Sequence, residues 1–148
     1  MENRLHNVSR GGIVLFLLAL ALAAYGASIK VANKTSAMDK LAEQYFEVWN
    51  QHDVEGLKGL LAPDASLRDW DVSVSGADKV AEANAGIFKA VPGISIEVLK
   101  CHPSPTTNTV SCEIIVHLNK EKGEKLLVTD VIEYTAEGKI LAVRAYKG

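Results

Sequence analysis

The segment at residues 41–71, LAEQYFEVWNQHDVEGLKGLLAPDASLRDWD, constrains the fold of this chain more than any other. Met38, Leu41, Ala42, Tyr45, Val48 and Trp49 recur at helical spacing, so a helix here lays one apolar stripe on a core and carries the phenol of Tyr45 with it. The stripe ends near Asn50, and His52-Asp53 forms a tight turn. Val54, Leu57, Leu60 and Leu61 then repeat the pattern for about two turns before Pro63-Asp64 stops it. An extended segment opens at Ser66.

Upstream, Ser36-Ala37-Met38-Asp39 resembles a capping box, which predicts that the first helix starts near Ser36. Downstream, residues 73–76 predict a brief second strand and turn, and residues 77–90 a third helix with Val80, Ala81, Ala83, Ile87 and Phe88 on its buried side. Pro92-Gly93 terminates that helix. Residues 94–101, 109–118, 125–134 and 139–146 are four runs rich in branched residues, separated at hairpin spacing by Pro103-Ser104-Pro105, residues 120–124 and Ala136-Glu137-Gly138. Three helices followed by a meander define an α+β class.

At 148 residues, with the N-terminal segment set aside, the remaining chain of about 110 residues suits one domain with one core. A net charge of −2 and scattered basic residues give no electrostatic footprint for nucleic acid, so no nucleic-acid partner is expected. His6, His52, His102 and His117 lack ligand spacing, and the two cysteines fit no zinc pattern, so neither metal nor cofactor is expected. Cys101 and Cys112 flank the proline-containing hairpin, and their spacing admits either a disulfide or two buried thiols.

Residues 13–24, IVLFLLALALAA, are continuously apolar, and the uncharged run over 11–29 is about 19 residues, or roughly 28 Å as a helix, close to a bilayer core. The expected organisation is a tail at 1–10, a transmembrane anchor or uncleaved signal segment at 11–32, and a globular domain at 33–148. This makes the chain a single-pass membrane protein of an organelle inner membrane or bacterial envelope. The alternative is a secreted protein: Arg4 and Arg10 supply a basic region and Ala21-Leu22-Ala23 a cleavage site.

Asp130 lies within the run LLVTDVI, and alternation puts it on one strand face with Leu126, Val128, Ile132 and Tyr134. That face is either a core or a pocket wall, and a carboxyl there is expected to be protonated or partnered. Arg144 on the last strand needs a carboxylate, either Asp130 or Glu133. Asp69 ends the first strand beside Arg68 and Asp71, a setting that can hold it in a surface ion pair. Trp49 and Phe46 are expected in the core, Trp70 at a rim, and His52 at the end of the first helix.

The stretches "YFEVWNQHD…APDASLRD" and "VTDVIEYTAEGKILAVRAY" resemble the signature regions of the nuclear transport factor 2-like superfamily, which includes SnoaL-like polyketide cyclases and ketosteroid isomerases. The resemblance implies a cone-like, curved antiparallel sheet wrapped around three helices and enclosing a cavity. It also implies that Tyr45 and a neutral Asp130 donate hydrogen bonds to a developing enolate while Asp69 moves the proton. Three functions fit. The chain can be a non-catalytic accessory subunit of a membrane assembly, a reading favoured by the anchor. It can be a cofactor-free isomerase or cyclase acting on a small apolar carbonyl compound, or it can bind such a ligand without chemistry. The partners expected are accordingly a membrane, other subunits or a second copy of the chain, and a small apolar ligand.

Overall fold

In a computed structural model, residues 10–148 are described, with side chains from residue 21 onward. The expected tail at 1–10 lies almost wholly outside the described residues, as do the side chains of the first half of the expected anchor. Among the described residues no helix is long and apolar enough to cross a membrane. The chain forms two compact units, Met1–Lys34 and Thr35–Gly148.

Helix α1 (Arg10–Asn50) carries Met38, Ala42, Tyr45, Phe46 and Trp49 into the core at the predicted spacing. It does not start at Ser36. The Ser36–Asp39 pattern lies within the helix, because a capping box acts only where the preceding backbone leaves helical geometry, and here the alanine-containing segment before it stays helical. After α1, His52 adopts a left-handed conformation (φ 54°), its ring stacks on Phe88 with centroids 4.3 Å apart, and its Nε2 lies 2.9 Å from the Ile94 carbonyl oxygen. The turn is thereby tied to the segment after the third helix. Asp53 caps α2 (Val54–Leu60) by accepting from the Gly56 amide at 2.9 Å.

Strand β1 (Leu61–Arg68) starts earlier than Ser66. Pro63 is tolerated because the pairing of β1 with its neighbour is interrupted between Leu61 and Ser66, so its missing N–H breaks no ladder bond. Strand β2 (Ser73–Ser75) and helix α3 (Ala77–Ala90) follow as expected. The chain ends in β3 (Ser95–Ser104), β4 (Thr109–Asn119), β5 (Glu124–Tyr134) and β6 (Ile140–Lys147).

The six strands form one curved sheet in the order β2-β1-β6-β5-β4-β3. It is mixed rather than antiparallel, since β1 pairs parallel with β6. Hairpins can join only antiparallel neighbours, whereas β1 and β6 are separated by α3 and four strands, a connection long enough to bring them side by side in the same direction. The inner face carries Val110, Cys112, Ile114, Val128, Ile132 and Val143 against the helices. Cys101 and Cys112 stand directly opposite each other on β3 and β4 and form a disulfide.

Candidate functional site

A cavity of about 460 Å³ opens between the inner face of the sheet and helices α1 and α3. Tyr45 enters from α1, Asp69 from the end of β1, and Asp130 from the middle of β5, so the three residues singled out in the sequence line one space. Most of the remaining wall is aliphatic, including Leu67, Ile87, Ile114, Val128 and Val143.

The alternation of β5 buries Val128, Asp130, Ile132 and Tyr134, as expected. Asp130 is 4% exposed, and among the described residues its carboxyl has no hydrogen-bond or ion-pair partner. Burial, and then the charge of Asp69, push its pKa up to about 7. Arg144 resolves the open pairing: it bonds Glu133 at 3.1 Å on the opposite strand face. The neutral acid form of Asp130 is therefore the one that suits its surroundings near neutral pH.

Burial also pushes the Tyr45 hydroxyl well above its ordinary value, with Asp130 and Tyr134 adding to the effect. A phenol held protonated is a hydrogen-bond donor. Tyr134, on the same face as Asp130, is buried with its hydroxyl unpartnered, and burial raises its pKa too.

Asp69 is held, but not by an ion pair. Its Oδ1 accepts from the backbone amides of Asp71 at 2.7 Å and Val72 at 2.6 Å, while among the described residues no cation lies within ion-pair distance and Oδ2 has no protein donor. The short polar turn after β1 fixes the carboxylate through one oxygen and leaves the other uncommitted. At the cavity edge, Trp70 is 44% exposed and the Lys147 ammonium lies 5.8 Å from its ring centroid. Trp49 is both core and cavity wall, whereas Phe46 belongs to the core alone.

One cavity residue escaped the sequence reading. Asn84 is buried on α3, accepts from Trp49 Nε1 at 2.9 Å and donates to the Val80 carbonyl at 2.8 Å. Its spacing from Val80 and Ile87 put it on the apolar stripe of α3, and a polar residue on such a stripe is the signal that would have found it. Among the described residues no three potential metal ligands cluster.

The SnoaL-like domain model matches residues 42–143, which takes in the helix bearing Tyr45, the turn bearing Asp69 and the strand bearing Asp130. The chain belongs to the SnoaL-like domain family. Among solved structures, this SnoaL-like chain is similar to a protein with a cystatin-like fold from Methylobium petroleophilum PM1, at 18% identity and TM-score 0.68, covering 77% of each chain. It is also similar to a candidate ketosteroid isomerase from Kribbella flavida DSM 17836, at 18% identity and TM-score 0.65, covering 77% of this chain and 79% of that one. A third similar structure is SalBIII, an epoxide hydrolase/cyclase-like enzyme of pyran ring formation in salinomycin. It matches at 18% identity and TM-score 0.61 and covers 76% of this chain and 92% of the other. At such identities the SnoaL-like fold is what is shared. No curated protein matches the sequence.

Proposed function

We propose that this SnoaL-like domain catalyses a cofactor-free proton transfer on a small, largely apolar carbonyl compound. The observation that carries the reading is the unpartnered, buried Asp130 sharing one cavity with Tyr45 and Asp69. In the proposed reaction, the Asp69 carboxylate removes a proton from the carbon next to the carbonyl, and the C–H electron pair moves into the C–C bond as the carbonyl π pair shifts to oxygen. The Tyr45 hydroxyl and the protonated Asp130 carboxyl donate to that oxygen as its charge grows. The proton on Asp69 then returns to a different carbon, giving an isomer, or the enolate carbon attacks a second carbonyl, whose π pair moves to its oxygen and takes up the proton from Asp69, closing a ring. The aliphatic wall keeps bulk water away and strengthens both donor bonds.

The alternative, an accessory subunit, draws on other features: the apolar N-terminal run and the exposed Leu99, Leu127 and Tyr146, which border a hollow on the outer side of the sheet. Membrane tethering and docking of a second copy or another subunit belong to that proposal. We place proton transfer first because among the described residues the Asp69 carboxylate has no ion-pair partner and the cavity is open and apolar, the state an enzyme requires and a docking module does not.

The test is exchange of α-hydrogens for deuterium in a set of β,γ-unsaturated ketones, followed by NMR together with the ultraviolet absorbance of the conjugated product. Catalysed exchange is expected, and Asp69→Asn should slow it by about 10²- to 10⁴-fold, the usual contribution of a general base. Undiminished exchange in Asp69→Asn would sink the assignment. Native-gel migration of a detergent extract supplies the contrast, because the accessory reading expects a large complex that survives salt.

A further inference from the structure

The cavity holds a second polar group that proton transfer does not use. Among the described residues only two polar or charged side chains other than tyrosine and tryptophan are buried, Asn84 and Asp130, and both line the same space. A primary amide has two N–H donors and an oxygen with two lone pairs. The indole N–H of Trp49 can only donate and the Val80 carbonyl can only accept, so the bonds at 2.9 and 2.8 Å fix which end of the Asn84 amide is which. Those bonds occupy one lone pair and one N–H. Among the described residues the other N–H and the other lone pair have no partner, and the cavity residues Ile87, Val91 and Ile94 offer none from their side chains.

A brace between α1 and α3 accounts for the two bonds already made. It leaves one amide N–H and one oxygen lone pair unused beside an apolar cavity, positions available to a polar atom of a ligand. We infer that Asn84 is a ligand-binding residue that holds a second oxygen of the substrate, apart from the carbonyl met by Tyr45 and Asp130. The substrate class is thereby narrowed to neutral, mostly hydrocarbon compounds bearing two separated oxygen functions. This inference rests on the proton-transfer reading for the place of the first oxygen.

The test uses fluorescence titration of the full chain with 2-naphthol, whose hydroxyl imitates an enol oxygen, and with 2,6- and 2,7-dihydroxynaphthalene, which add a second oxygen at two positions. At least one diol is expected to bind up to about tenfold more tightly than 2-naphthol, the worth of one well-made hydrogen bond. Asn84→Leu should bring that ratio to about one while 2-naphthol affinity stays within about twofold, since 2-naphthol has no second oxygen for Asn84 to hold. The double variant Trp49→Phe/Asn84→Leu removes the indole N–H that the single variant strands, and the same loss of preference is expected there, whether or not the single variant folds. A preference retained in the folded double variant, or no preference in the unmodified chain, overturns the inference. Tyr45→Phe should weaken all three probes and leave the ratio intact. If it changes nothing while Asn84→Leu abolishes the preference, the proton-transfer reading fails and the role of Asn84 stands. If no probe binds, both fall.

Discussion

The two faces of β3 to β6 are built from alternate residues of the same strands, and they treat carboxyl groups in opposite ways. On the outer face Glu133 bonds Arg144 at 3.1 Å, Glu113 lies 2.9 Å from His102, and Glu97 lies 2.9 Å from His117. On the inner face Asp130 stands, among the described residues, without a partner, at 4% exposure. Pairing is thus found where water already solvates the charge and a partner adds little. It is missing where an isolated charge is most costly. If stability alone had shaped this sheet, Asp130 would be paired or apolar. On the proposed proton-transfer reading, Asp130 is kept for the proton it carries.

The largest effect that would break this contrast is a pH dependence of stability centred on Asp130. Its folded pKa is raised to about 7 from an ordinary 3.8. Below the lower value the group is protonated in both states and contributes nothing. As pH rises from about 4 to 7 the unfolded chain loses a proton that the folded chain retains, so stability falls, and above about 7 the loss is complete. At about 1.4 kcal/mol per pKa unit, the penalty at pH 8 is on the order of 4 kcal/mol. Asp130→Asn removes it. That variant should resist urea better than the unmodified chain at pH 8, with a difference shrinking to about 1 kcal/mol or less at pH 4.5. Equal differences at the two pH values would show that Asp130 is not held neutral.

This asymmetry was partly legible in the sequence. Alternation along LLVTDVI places Asp130 inside without reference to any other strand, because a two-residue period is local. The partner of Arg144 was not legible from that period alone. It follows from register: Arg144 stands opposite Val131, one residue from Asp130 and two from Glu133, and only Glu133 shares its face. The disulfide likewise depended on register, since Cys101 and Cys112 pair only if the β3–β4 hairpin closes in one alignment. Helix α3 was legible to the residue because Gly76 and Pro92-Gly93 bound it chemically. The start of α1 was misplaced because a capping pattern is short-range and the helical segment before it overrides it. Asn84 was missed for a different reason: helical spacing identifies a buried face, while what that face meets is a tertiary fact.

A smaller test sharpens the outer half of the comparison. The Arg144 and Glu133 side chains are 33% and 37% exposed, so a double-mutant cycle with Arg144→Met and Glu133→Gln should give a coupling of about 0.5–1 kcal/mol, the upper range for pairs in contact with water. Added salt should reduce it.

The smallest effect is expected at Glu97 and His117, where the carboxylate side is 55% exposed. Glu97→Gln leaves an uncharged acceptor oxygen beside the His117 ring, so the hydrogen bond survives and only a screened Coulomb contribution is lost, about 0.5 kcal/mol or less by urea denaturation. A cost near that of a buried pair, about 3 kcal/mol or more, would mean that this face is covered in solution and that its carboxylates are not the solvated counterparts of Asp130. The comparison between faces would then become one between two buried surfaces, and the accessory-subunit reading would gain the covered sheet face it needs.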